Sequence, residues 1–170
     1  LVGTALGGGI AVAFAARYPG RVKRLVISSP ACGGGQASVD MLLTRAEGVE
    51  RDGMRPFADP SLARSYPEPY RTDAAFFDQY RNRWICNDPA SVASHNRMLA
   101  RKDETVNFAR IACPTLVLSA TDDPLRTPEA VKQIADAIPG SEYRELASGH
   151  FLPVYSPDLW AENVLPFVSA

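Results

Sequence analysis

The stretch from Leu1 to Pro19 leaves the backbone few choices. Leu1-Val2-Gly3 reads as the end of a buried strand, Gly7-Gly8-Gly9 follows after three residues, and Ile10 to Tyr18 continues in small and apolar residues until Pro19-Gly20. Proline lacks the N–H that would prolong a helix and glycine favours its end, so the run is a strand, a tight turn and a helix over residues 6–18. Val22 to Ser29 is then a short run rich in β-branched residues and bounded by turn residues. It fits a strand covered on both faces, as parallel sheets require. One β-α-β unit is therefore expected, and with it a parallel sheet.

The same rhythm returns near the other end. Cys113 to Ser119 reads as a buried strand; Thr127-Pro128 places an N-cap and a first-turn proline before a helix through Ile138, and Pro139-Gly140 stops it. Glu142 to Leu146 is a further strand and Ala147 to Pro153 a loop. Ser156-Pro157 opens a last helix with Leu159, Trp160, Val164, Leu165 and Val168 as its expected buried stripe. Between these parts the character changes. Gly33-Gly34-Gly35 opens a segment with helical spacing, many arginines and joints expected at Pro56, Pro60, Pro67, Pro69 and Pro89, read as short helices without a strand. The expected organisation is a core over 1–32 and 110–170, interrupted by a helical cap over 33–109. Strands alternating with helices on both sides of a helical insertion describe an α/β domain.

Length and charge close off other classes. A chain of 170 residues is about one domain long, and 46% hydrophobic with 22% charged residues is ordinary globular composition. Its longest apolar runs fall far short of the roughly 20 residues of a membrane helix. A net charge of −1 gives no electrostatic footprint for nucleic acid or an anionic membrane. Cys32, Cys86 and Cys113 form neither a C-x-x-C nor an even set, which fits a reducing, cytoplasmic setting. The N-terminus has no basic stretch of a signal peptide and reads like a chain entered partway.

Chemistry-bearing residues fall at the strand ends, where parallel sheets place ligand sites. Gly3-Thr4-Ala5-Leu6-Gly7 has the spacing of a nucleophile elbow, G-x-S-x-G, in which flanking glycines let a helix approach a strand closely. Its central residue is Ala5 rather than serine. Thr121-Asp122-Asp123-Pro124 supplies an acid, with Asp123 the one expected to face the site and Asp122 solvent; Ser148-Gly149-His150 supplies a base. The order elbow, acid, histidine is that of one class of catalytic triads, in which the acid fixes the imidazole's tautomer. His95, amid the arginines of the insertion, reads as a surface residue. No metal spacing and no phosphate-binding glycine loop is present, so neither metal nor organic cofactor is expected.

These residues resemble the α/β-hydrolase fold superfamily over nearly the whole chain, from Leu-Val-Gly-Thr-Ala-Leu-Gly through Pro-Thr-Leu-Val-Leu-Ser-Ala-Thr-Asp-Asp to Ser-Gly-His-Phe. The stretches from Asn96 to Leu99 and Ile111 to Pro114 look most like 3-oxoadipate enol-lactonases and related small lactone or ester hydrolases. The aminoacrylate hydrolase of uracil degradation looks similar too, and that group tolerates an Ala-Leu-Gly elbow. The resemblance implies catalytic positions at Ala5, Asp123 and His150, with the Leu6 N–H as an oxyanion donor; Thr4 points away and is no substitute nucleophile. It also implies a small-molecule substrate bearing a carboxylate, contacted by the Arg-bearing cap.

Alanine cannot attack a carbonyl. Ala5 is therefore an engineered replacement of the serine that leaves an inactive form, or marks a variant in which His150 and Asp123 activate water, or belongs to a noncatalytic relative that binds a small ligand. The resemblance further implies strands before the elbow that are absent from this sequence. With four strands where the family has about eight, the expectation is a chain that is poorly soluble alone or completed by a separate N-terminal piece of the same fold.

Overall fold

The computed structural model describes residues 1–34 and 36–170; Gly35, the third glycine at the opening of the insertion, lies outside the described residues. The chain divides into two compact units, one formed by Leu1–Cys32 with Glu104–Ala170, the other by Gly33–Asp103. The second unit ends at Asp103, earlier than residue 109, and Phe108 beyond it is buried in the core of the first unit.

In the first unit the strands β1 (Val2–Thr4), β2 (Leu25–Ser28), β3 (Thr115–Ala120) and β4 (Glu142–Leu146) form one parallel sheet in the order β1-β2-β3-β4. The two inner strands are buried at every residue. Side chains alternate between the faces of a strand, and the core splits accordingly. Leu25, Ile27 and Val117 join Ala11, Val12, Ala15 and Ala16 of helix α1 (Leu6–Arg17) on one face. Val26, Leu116 and Leu118 join Val164 and Phe167 of the last helix on the other. Strand β2 begins at Leu25 rather than Val22, whose side chain is nevertheless buried.

The second unit contains α2 (Gln36–Asp52), α3 (Arg55–Ser65), α4 (Ala74–Ile85) and α5 (Pro89–Arg101), with no strand among the described residues. Ala46, Val49, Met54 and Ala93 form its core. Pro56 and Pro89 sit in first turns, where a missing N–H costs nothing, but Pro60 lies inside α3 instead of breaking it. The N–H that Pro60 lacks would have bonded the carbonyl of Pro56 in the first turn, so only one bond at the helix start is lost.

Back in the first unit come α6 (Thr105–Phe108), then, after β3, α7 (Pro128–Ala137), whose Thr127 cap accepts from the Ala130 N–H at 3.4 Å. The short α8 (Leu152–Tyr155) occupies part of the expected loop after β4. The final helix, α9 (Pro157–Ser169), corrects the expected stripe: Val164 and Phe167 are buried and Leu159 and Trp160 partly so, whereas Leu165 is 57% and Val168 39% exposed. The face runs through 160, 164 and 167 at helical period, and Leu165 and Val168 lie one position off it. No helix of the described residues is long and apolar enough to cross a membrane.

Candidate active site

All four strands are parallel, so their carboxyl ends share one edge of the sheet, and Ala5, Ser29, Asp123 and His150 follow β1, β2, β3 and β4 on that edge. At Ala5 the backbone takes φ 50°, ψ −117°, a region an L-residue avoids. Three hydrogen bonds hold it there: the Ala5 N–H donates to the Ser28 carbonyl at 2.9 Å, and its carbonyl accepts from Ala31 at 2.8 Å and Gly9 at 3.2 Å. Strain persists where surrounding structure over-determines it.

The reason for the glycines is only half what the spacing suggests. A Cβ on Gly3 would stand 2.3 Å from the Gly7 carbonyl oxygen, a backbone clash with nowhere to go, whereas a Cβ on Gly7 would meet nothing within 4 Å. The second tight position is Gly8, whose Cβ would press on Pro30 at 2.9 Å. Leu6 opens α1, so its N–H belongs to the first turn and has no acceptor within the helix.

The acid and the base meet directly. Asp123 is 3% and His150 6% exposed, and the imidazole Nδ1 lies 2.8 Å from Asp123 Oδ2. Asp123 Oδ1 accepts from the Leu125 and Arg126 N–H groups at 2.8 and 3.0 Å, so the carboxylate closes a turn over Pro124. Two bonds lace its loop to the histidine loop: Thr121 N–H to the Leu146 carbonyl at 3.0 Å and Asp122 N–H to the Ser148 carbonyl at 2.9 Å. Ser148 and Ser156 hydroxyls bond at 3.0 Å and pin the far side of the loop. Asp122 is exposed.

Burial pushes the Asp123 carboxyl up, but the bond and charge of His150 and, after them, the Leu125 N–H outweigh it and hold it below the usual carboxylate range. An ionised carboxylate only accepts, so Nδ1 is the nitrogen that donates to Asp123, and in the neutral ring that leaves the lone pair on Nε2. The imidazole is thus presented as a base in one tautomer.

Sequence reasoning missed Ser29. It is fully buried, sits at φ 44° and follows β2 as Asp123 follows β3; its position one residue past a buried strand was the available signal. His95 is exposed on α5 of the other unit. Among the described residues no group of three His, Cys, Asp or Glu side chains is placed to hold a metal ion.

Residues 1–148 match the family described as serine aminopeptidase, S33. The chain is 27% identical over 177 residues to RutD of Pantoea ananatis (strain LMG 20103), a protein named as a carbamate hydrolase, covering 99% of this chain and 62% of that one. Among solved structures it is similar to the enol-lactonase of Burkholderia xenovorans LB400, with TM-score 0.93, 27% identity, and coverage of 99% of this chain and 65% of that one. It is also similar to a thermophilic esterase of Thermogutta terrifontis with malate bound, with TM-score 0.88, 25% identity, and coverage of 99% and 64%. The chain therefore spans a little under two thirds of the length of these relatives.

Proposed function

The chain belongs to the serine aminopeptidase S33 family, within the α/β-hydrolase superfamily, and from that premise we propose that it carries the acid-base machinery for hydrolysing a small carboxylate-bearing ester or lactone. The observation that carries the reading is the buried Asp123–His150 pair, with Nδ1 turned to the carboxylate, at the same sheet edge as the strained Ala5 turn. Likeness to an enol-lactonase and to an esterase that binds malate favours the ester or lactone class and the carboxylate.

Position 5 carries a methyl group and no oxygen, so the attacking atom is water. His150 Nε2 takes a proton from that water as its oxygen bonds the substrate carbonyl carbon. Asp123 stabilises the imidazolium. The Leu6 N–H donates to the carbonyl oxygen as it gains charge. When the bond from carbon to the leaving oxygen breaks, the imidazolium returns the proton to that oxygen. General-base help of this kind contributes about 100- to 10,000-fold.

The test is hydrolysis of a panel of small esters and lactones by the chain, by Ala5→Ser, and by Ala5→Ser combined with His150→Ala. Turnover in Ala5→Ser that vanishes with His150→Ala supports the assignment. Turnover that survives His150→Ala removes it, and a silent Ala5→Ser leaves a ligand-binding relative. A second reading, hydrolysis of a carbamate, is favoured by the likeness to RutD; adding a small carbamate to the panel separates the two.

A further inference from the structure

Helices α7 and α9 open on the same kind of pair, a hydroxyl side chain followed by proline, and use the hydroxyl differently. Thr127 stands at ψ 152°, within the range that a following proline favours, and caps its helix by accepting from the Ala130 N–H. Ser156 stands at ψ 62°, outside that range, and no amide of α9 donates to its hydroxyl. Serine is among the best N-cap residues, so the start of α9 forgoes a stabilising bond that its own sequence supplies.

The hydroxyl is used elsewhere. It bonds the Ser148 hydroxyl at 3.0 Å, and that bond closes a loop holding Gly149, His150, Phe151 and all of α8. Ser148 is fully buried, and its carbonyl already accepts from the Asp122 N–H. It is therefore held from the acid's loop on one side and from α9 on the other, two residues before His150. At the far end the Ser156 N–H donates to the Leu152 carbonyl at 3.0 Å, and Leu152 is fully buried with Val26, Leu116 and Leu118. Both feet of the loop thus stand in the core.

Asp123 sets which way the imidazole is turned, through Nδ1. One hydrogen bond leaves the ring free to swing with its backbone about the carboxylate, so the reach of Nε2 beyond the sheet edge depends on where the loop is tied. A misplacement of about 1 Å at such a group costs about 100-fold in rate.

We propose that the Ser148–Ser156 hydroxyl pair is a clasp that sets the position of His150, which makes both serines positioning residues of the acid-base pair. The inference deepens the reading above and rests on it only for the link to turnover; the clasp itself is tested without substrate.

The chain has two histidines, so His95→Gln leaves His150 as the sole imidazole signal. Exchange of its Nδ1 proton with water is measured by NMR in that background and with Ser148→Ala, Ser156→Ala, the two together, and Ser156→Thr. Where that proton is not seen, spectra of the ring nitrogens report the same hold, as one tautomer of the neutral ring when it is fixed and a mixture when it is loose.

Either alanine is expected to speed exchange about two- to tenfold, the loss of one hydrogen bond. The double variant is expected to do no more than either single, because all three remove the same bond, and Ser156→Thr, which keeps the hydroxyl, to change nothing. Backbone amides of Ile27 and Val117 in the inner strands are expected to exchange as before, which separates a local clasp from a general loss of stability. The proposal is overturned by alanine variants that leave exchange and tautomer unchanged, by additive effects in the double variant, by Ser156→Thr behaving as Ser156→Ala does, or by equal acceleration at Ile27 and Val117. In an active Ala5→Ser chain either alanine is expected to lower kcat about tenfold or more with KM little changed, and an unchanged kcat also overturns it. A loosened His150 together with a silent Ala5→Ser chain would remove the proposed reaction and leave the clasp standing.

Discussion

Replacing Ala5 by glycine is expected to stabilise the chain, the reverse of what alanine-to-glycine changes normally do. Residues in sparsely populated regions cost about 1–3 kcal/mol, and φ 50°, ψ −117° is such a region for alanine but open to glycine. Against that relief stand about 0.5–1 kcal/mol for the extra freedom of glycine in the unfolded chain and less than about 0.8 kcal/mol for a methyl that is only half-buried. The balance is a gain of about 1 kcal/mol. At this chain length that raises Tm by about 2–4 °C. Urea unfolding followed by far-ultraviolet circular dichroism reads it directly, with Ala11→Gly as internal control. Ala11 is 3% exposed within the same helix and has no strain to relieve, so its replacement loses about 1–2 kcal/mol. If Ala5→Gly loses stability to the same degree as Ala11→Gly, the backbone at position 5 is not strained and the elbow assignment fails with it.

The neighbouring glycines should respond in opposite directions. Gly3→Ala drives a Cβ into the Gly7 carbonyl and is expected to cost about 3 kcal/mol, while Gly7→Ala enters open space in a first helical turn and gains up to about 1 kcal/mol; thermal unfolding of the two variants decides. The folded Asp123 carboxyl titrates below its unfolded value, so its stabilisation is complete above about pH 3.9 and is lost as pH falls through the lower, folded value. Asp123→Asn removes that part of the acid slope. Urea midpoints from pH 3 to 7 are therefore expected to fall less steeply in the variant than in the unaltered chain, and parallel acid limbs would refute the low titration of Asp123. On α9, Phe167→Ala is expected to cost about 3–5 kcal/mol and Leu165→Ser less than about 0.5 kcal/mol; comparable losses would restore the stripe expected from sequence.

What could be read before the structure was whatever the chain encodes locally. Leu25-Val26-Ile27 and Leu116-Val117-Leu118 are apolar at every position because both faces are covered, and that pattern alone indicates buried parallel strands. The acid and the histidine each lie a few residues beyond such a strand, so the sheet edge holding Asp123 and His150 was legible too. The α9 stripe was not. That helix is apolar at Leu159, Trp160, Val164, Leu165, Phe167 and Val168, more than one face can bury, and only contact with Val26, Leu116 and Leu118 selects Val164 and Phe167. Ser29 was hidden for a related reason. Its closeness to Asp123 depends on β2 lying beside β3, a neighbour relation set by the sheet across the whole helical insertion rather than by spacing along the chain.

The strained turn at Ala5 separates the frame of a site from its reactive atom. Nothing at position 5 needs exposing to substrate, yet the unfavourable backbone is retained, because the bonds to Ser28, Ala31 and Gly9 are ordinary secondary-structure bonds that the sheet and helix require in any case. The same holds for the Asp123–His150 pair, whose geometry is secured by the Leu125 and Arg126 amides and by the two bonds between its loops, none of which involves Ala5. A serine hydroxyl at position 5 would therefore enter a turn already bent for it, on the same sheet edge as a histidine already held by its carboxylate. Ala5→Ser is for that reason expected to leave stability nearly unchanged while altering chemistry, and a large loss of stability on adding that one oxygen would show that the frame had adapted to the methyl group.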